Sequence, residues 1–385
     1  MSVMSFSIPR EIYYGENSLS KLADLKGAKA AIVTGGTSMK RFGFLDKAIS
    51  ILKDGGIESI VIDGVEPNPS IKTVMSGAKI MLEFKPDWIV AIGGGSALDA
   101  AKVMWCFYEH PELKFEDIIA VGSMPALRNK ARFIAIPSTS GTASEITAFS
   151  VITDTENHIK YPIVAGDMVP DIAILDPSLP MTMPAHITAN TGMDVMCHAL
   201  EALASIASTN FTEPYAVRAI ELVKEYLPIA YSDPKNLEAR ENMHEASALA
   251  GMAFTNASLG LVHSLAHKIG GEFGVTHGLA NAILLPFIID YNRQFTDKYT
   301  YIEKLLNVVD IAQVVRDLNT KLNIPSNFKD CSEVDFSEAK FKAVIDRMSE
   351  NAFVDPCTLT NPGTPTVDDV KMIYEAAYYG NPIKK

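Results

Sequence analysis

In the first part of the chain, apolar residues come in short runs set between turn formers and longer amphipathic stretches. The runs Ala30–Val33, Ser59–Ile62, Trp88–Ile92, Phe133–Ile136 and Ile172–Leu175 are each followed by Thr, Asp, Gly or Pro. Such residues punctuate the carboxyl ends of parallel strands. Leu45–Leu52, Ile71–Leu82 and Ala97–Tyr108 lie between the runs with helical spacing. Repeated strand, turn and helix predicts a parallel sheet covered on both faces. After Pro180 the texture changes. Asp194–Ser205, Glu213–Leu227, Leu237–Phe254, Leu261–Ile269 and Val367–Tyr378 repeat their apolar positions with helical period, and strand signals almost vanish. The expected fold class is therefore an α/β amino-terminal domain over residues 1–182 and an all-α domain over residues 183–385, joined in the Pro-rich stretch Asp176–Pro184. A ligand is expected in the cleft between the two.

Three strand-end turns narrow the ligand. Trp88–Ile92 runs into Gly93-Gly94-Gly95-Ser96 and then a helix. Glycine there admits a pyrophosphate close to the backbone, and the helix amino terminus offers N–H groups and a positive dipole end. The turn is not G-x-G-x-x-G, and alone it reads equally well as a tight turn. The second turn, Ser138-Thr139-Ser140-Gly141-Thr142-Ala143-Ser144-Glu145, is dense in small donors. Thr142 or Ser144 is placed to cap a following helix with Glu145 in its first turn. Two such turns on one sheet favour a phosphate-bearing dinucleotide. In the third, Thr34-Gly35-Gly36-Thr37-Ser38-Met39-Lys40-Arg41, no acid is present to accept a ribose 2′-hydroxyl, and two cations are close. This favours NADP over NAD.

The helical half carries a different chemistry. Asp194 and His198, and again His263 and His267, are four residues apart on one helix face, and His277 follows the glycine-rich break Gly270–Gly274. An aspartate with several histidines suits a divalent transition metal such as iron or zinc. Spacing leaves His267 as good a ligand as the others. Cys197, beside His198, reads as a packing residue, and His110, His158, His186 and His244 as surface or local structural residues.

Composition removes other classes. The 385 residues carry 34 Lys and Arg against 46 Asp and Glu, a net charge of −12, without a basic run; nucleic acid is not an expected partner. The most apolar stretch, Ala246–Leu265, contains Thr255, Asn256, Ser258 and His263, so no membrane partner is expected either. Cys106, Cys197, Cys331 and Cys357 form no C-x-x-C pair, and Met1–Pro9 has no signal-peptide character. A cytoplasmic protein is expected.

The segments Gly93–Lys102, Pro137–Glu145, Thr191–His198 and His263–Asn281, with Val65–Pro69 and Asn361-Pro362, together resemble the iron-containing (group III) alcohol dehydrogenases over essentially the whole chain. The resemblance implies a dehydroquinate synthase-like architecture and reversible oxidation of a small primary alcohol to its aldehyde. It implies a metal, usually iron and in some members zinc, on Asp194, His198, His263 and His277. His267 would then lie near the substrate and pass the alcohol proton. The diphosphate would lie on Gly94, Gly95 and Ser96, flanked by Ser138, Thr139 and Thr142, with Lys160 and Leu179 along the cofactor. Gly35, Ser38 and Lys40 of the third turn, Asn68 and Asp99 complete the candidate cofactor set. Many family members have an aspartate at the position of Gly35 and prefer NAD, which strengthens the NADP expectation. The neighbourhood of residues 108–162 resembles the alcohol dehydrogenase half of the bifunctional aldehyde–alcohol dehydrogenases. A homodimer or larger homo-oligomer is implied. The alternatives are a glycerol or propanediol dehydrogenase, with Phe149, Phe254 and Phe353 as candidate pocket residues, and a dehydroquinate synthase-type lyase.

Overall fold

The computed structural model describes residues 5–157 and 159–383; His158 lies outside the described residues. The chain divides into two compact units, which meet in sequence at Met183 and Pro184.

The first unit contains strands β1 Glu11–Tyr14, β2 Lys29–Gly35, β3 Glu58–Val65, β4 Trp88–Gly93, β5 Arg132–Pro137, β6 Phe149–Asp154, β7 Ile159–Val164 and β8 Ile172–Leu175. Its helices are α1 Ser38–Arg41, α2 Phe44–Asp54, α3 Ile71–Phe84 and α4 Gly95–Glu109. Six strands form one sheet in the order β1-β8-β5-β4-β2-β3, and every pairing in it is parallel. The central runs are apolar at every position because both faces are covered. Ala30, Ile32, Val90, Ile92, Ile134 and Ile136 pack to one side with α2 residues Leu45, Ala48 and Leu52. Ala31, Val33, Ile89, Ala91, Phe133 and Ala135 pack to the other with Val74 and Met81 of α3 and Met104 and Trp105 of α4. The strand order reverses direction between β2 and β4. Ligands of open parallel sheets bind at the carboxyl ends of strands at such a switch, and here those ends are Gly35 and Gly93.

β6 and β7 form a separate antiparallel ribbon. The helix expected after Ser144 is absent: residues 144–146 form a single turn and the chain proceeds into β6. Ala143 takes φ +52°, and long-range bonds hold the segment. Ser144 Oγ donates to Asp99 Oδ1 at 2.6 Å, and Lys102 Nζ donates to the carbonyls of Thr147 and Phe149 at 2.7 and 2.8 Å. These contacts outcompete a local cap.

The second unit is helical: α5 Ala185–Ala204, α6 Glu213–Ser232, α7 Leu237–Ala257, α8 Leu261–Phe273, α9 His277–Asn292, α10 Lys298–Leu306, α11 Ile311–Lys321, α12 Glu338–Phe353 and α13 Val367–Tyr379. From Thr188 onward α5 is buried at every residue but Thr191, and it packs against α6, α7 and α9. No helix among the described residues is long and apolar enough to cross a membrane.

Candidate active site

Helix α5 places Asp194, His198 and Glu201 on one face by their four- and three-residue spacing. Helix α8 adds His263 from its first turn, and α9 begins with His277. The Nε2 atoms of His198, His263 and His277 each lie 3.7 Å from Asp194 Oδ1, and the four donor atoms all fall within 4.8 Å of one another. Nitrogen and oxygen ligands about 2.1 Å from a tetrahedral cation stand about 3.4 Å apart, so the four can close on one ion with small movements. Asp194, His198 and His263 are buried, whereas the His277 side chain is 42% exposed and leaves the group accessible on that side.

The electrostatics ask for a cation. Burial pushes the His263 imidazole down to about 4, which keeps the ring neutral. Burial works against the Asp194 charge, but the facing histidines and Asn281 outweigh it and hold the carboxyl below its ordinary value. The Asp194 carboxylate and the Nε2 atoms of His198, His263 and His277 thus converge on one point. Asn281 partly satisfies them: its Nδ2 donates to Asp194 Oδ1 at 2.7 Å and lies 3.2 and 3.1 Å from Nε2 of His263 and His277. Behind the cluster, Glu201 Oε1 accepts from Val262 N at 2.6 Å and Oε2 lies 2.5 Å from His263 Nδ1. Burial raises the Glu201 carboxyl to about 7, against the N–H donors around it. The Phe254 ring stacks on His198 with centroids 4.3 Å apart.

His267 stands beside these four rather than among them. Its Nδ1 is 3.2 Å from Asp355 Oδ2, and its ring stacks on His277 at 5.7 Å. Lys268 Nζ reaches the same Asp355 oxygen at 2.8 Å. Despite the cost of burial, these two neighbours hold the Asp355 carboxyl well below the usual carboxylate range. Cys197 is buried, as a packing residue should be, but its Sγ lies 3.8 Å from His263 Nδ1 rather than pointing away from the cluster. His244 is buried within α7.

Glycine decides one approach here. A Cβ on Gly278 would meet the Asn190 carbonyl oxygen at 2.2 Å, so α9 reaches the α5 backbone only without a side chain at that position. Gly278→Ala is expected to lift the start of α9, with His277, off α5. The cost is about 1–3 kcal/mol of stability and about tenfold in affinity for a divalent metal, read by thermal melting and cobalt titration.

In the first unit, most of the sequence-predicted cofactor residues follow the carboxyl ends of strands, while Asp99 lies on α4 and Lys160 at the start of β7. Gly94 precedes α4, with Gly95 and Ser96 in its first turn, where backbone N–H groups have no intrahelical partner. A Cβ on Gly95 would meet Thr142 Oγ1 at 2.8 Å, and Gly94 faces the Thr139 methyl. The two donor-rich turns therefore lie against each other and form one cradle of small residues and helix-start N–H groups. Ser138 N donates to Gly93 O at 2.8 Å. Lys160 Nζ on β7 donates to Asn68 Oδ1 at 2.8 Å, joining two candidates far apart in sequence. Ser38 opens α1, where Lys40 is exposed. Leu179 is fully buried. The Asp99 carboxylate is engaged by Ser144 and by Val151 N, so it supports the cradle rather than facing outward.

The sequence pattern of the iron-containing alcohol dehydrogenases matches residues 9–177, and that of the carboxyl-terminal part of the same family matches residues 188–378. The chain belongs to the iron-containing alcohol dehydrogenase family. It is 49% identical to the NADPH-dependent butanol dehydrogenase of Clostridium saccharobutylicum over 99% of this chain and 100% of that protein. An aldehyde-alcohol dehydrogenase of Streptococcus pneumoniae is 40% identical over 97% of this chain. The match takes in 46% of that protein, so this chain spans about half the length of that relative. The iron-containing alcohol dehydrogenase structure from Thermococcus thioreducens superposes with a TM-score of 0.90 at 37% identity, covering 98% of this chain and all of that one. The family fold is thus the two-unit arrangement of parallel sheet and helical bundle described above. Glu201, Asn281 and Asp355 are the residues around the family's chemistry that sequence reasoning missed. Glu201 is three residues beyond His198 and Asn281 four beyond His277, so helical spacing alone could have drawn attention to both.

Proposed function

We propose that this protein is an iron-dependent, NADP-linked alcohol dehydrogenase that interconverts small primary alcohols and aldehydes. The observation that carries the reading is the convergence of Asp194 with Nε2 of His198, His263 and His277 on one accessible point. These four residues would hold the metal. The cradle at Gly94, Gly95, Ser96, Ser138, Thr139 and Thr142 would hold the diphosphate, and Lys160 with Asn68 would line the cofactor's path. When bound, iron supplies Lewis acidity and the nicotinamide supplies the hydride acceptor or donor. The chain's own residues supply the rest. Asp355 accepts a hydrogen bond from His267 Nδ1–H, which leaves His267 Nε2 to accept the alcohol proton. Phe254, lying on His198, keeps water from one side of the reacting group. NADP is favoured by the acid-free turn at Gly35 with Lys40 close by, and by the NADPH dependence of the Clostridium relative. All four cysteines are free thiols, which supports a reducing, cytoplasmic setting. A homodimer or larger homo-oligomer is the expectation carried over from the resemblance.

The test is an anaerobic assay of purified protein with butanal, with NADPH and NADH in parallel, before and after chelation and ferrous add-back. Metal-dependent oxidation of NADPH is expected. Preference for NADH would overturn the cofactor reading alone. Turnover of glycerol or propanediol without turnover of butanal would give the site to the polyol reading.

A further inference from the structure

Which nitrogen of His263 carries its proton is fixed by a chain of contacts around the cluster. Asn281 must present Nδ2, not Oδ1, to Asp194, because two oxygens 2.7 Å apart without a proton between them would repel. The second hydrogen of Nδ2 is shared between His263 Nε2 at 3.2 Å and His277 Nε2 at 3.1 Å, and an acceptor at His263 Nε2 puts that ring's proton on Nδ1. Nδ1 in turn points at Glu201 Oε2, 2.5 Å away, while Glu201 Oε1 accepts from the backbone N–H of the preceding residue, Val262, at 2.6 Å. Glu201 is buried, and both its oxygens are committed to consecutive residues of α8.

We infer that Glu201 is a positioning residue for the metal centre, fixing His263 in the Nδ1–H tautomer and aiming Nε2 at the ion. The inference rests on the metal reading above. A carboxylate behind a ligand imidazole also strengthens it as a donor and locks its ring orientation. The bond from Val262 N–H adds what a simple pair lacks. It fixes the carboxylate to the first turn of α8, so the acid and the imidazole it holds move as one body.

The distinction between a carboxylate and an amide makes this testable at constant size. Glutamine has one acceptor and one donor group, but the site presents two N–H donors. Its Oε1 must meet Val262 N–H, because its NH₂ cannot, and the NH₂ then faces His263 Nδ1. The ring proton is driven to Nε2, where it occupies the lone pair that the metal needs. Glu201→Gln is expected to weaken Co(II) binding about 10- to 100-fold and to shift the visible bands of the cobalt-loaded protein, while the metal-free protein keeps its circular dichroism and melting temperature. Equal Co(II) affinity and unchanged bands in wild type and Glu201→Gln overturn the role of Glu201 alone. Failure of wild type itself to bind Co(II) overturns the metal reading and this inference with it. A second measurement needs no folded Glu201 variant. In the imidazole ¹⁵N spectrum of metal-free wild type, with the signal assigned against His263→Gln, His263 is expected to be protonated on Nδ1. A proton on Nε2 overturns the assignment.

Discussion

Replacement of Asp194 by alanine is expected to strip the protein of its metal and to lower kcat/KM for alcohol oxidation by at least about a thousandfold. Asp194 is the single anion among the four converging donors, and its Oδ1 is equidistant from the three imidazole nitrogens. Without it a dication would have to enter a buried site against neutral ligands only, at full desolvation cost. Lewis-acid assistance is worth several kcal/mol, and each 1.36 kcal/mol is tenfold in rate, so a loss of about 4 kcal/mol gives the stated factor. The variant also removes the oxygen to which Asn281 Nδ2 donates at 2.7 Å, so metal content and metal-free melting temperature should be measured together. A metal-depleted Asp194→Ala protein that melts normally and is inactive is the expected result. Normal turnover, or full metal content, would remove the four residues as the site.

How far such a site could be read in the sequence depends on how local its causes are. Trp88–Ile92 is legible as a buried strand because covering both sheet faces leaves no polar position. The Asp194/His198 and His263/His267 pairs are legible because helical periodicity places them on a face without knowledge of the fold. The turns at Gly35 and Gly93 announce themselves by composition. Elements whose stability comes from elsewhere stay hidden. β1 is an edge strand of mixed residues held on one side by β8, and β7 contains Pro162 in a two-stranded ribbon. α9 is apolar on nearly every face and includes Pro286, so it shows neither a stripe nor an uninterrupted helical run.

The supporting residues of the site are hidden for the same reason. Glu201 acquires its meaning from His263, 62 residues away, and Asp355 from His267, 88 residues away. An acid on a helix is ordinary in sequence, and only the packing of α5 against the start of α8 makes this one a partner. The mistaken helix after Ser144 shows the converse. A sound local capping signal lost to Asp99 and Lys102, which pull the segment onto α4.

The second large effect is expected at Gly35. Gly35→Asp should lower the ratio of kcat/KM for NADPH over NADH by at least about a hundredfold, since a carboxylate there accepts the ribose hydroxyl and repels a 2′-phosphate. Like charges about 4 Å apart near a protein surface cost up to about 4 kcal/mol, which covers that factor. The structure adds a condition that the sequence does not suggest. Gly35 pairs with Val65 beyond an irregularity in the β2–β3 register, and a Cβ at Gly35 would meet the Val65 carbonyl oxygen at 2.4 Å. Because the obstacle is backbone, no trimming of the Val65 side chain relieves it, and the end of β3 has to move. The specificity change should therefore come with a loss of about 1–3 kcal/mol, or about 2–4 °C in melting temperature per kcal/mol for a unit of this size. A variant that switches cofactor without melting earlier would show that β3 yields freely at this point. One that melts earlier yet keeps the wild-type NADPH preference would place the 2′-phosphate away from this turn, and would shift attention from Lys40 to the other cations of the first unit.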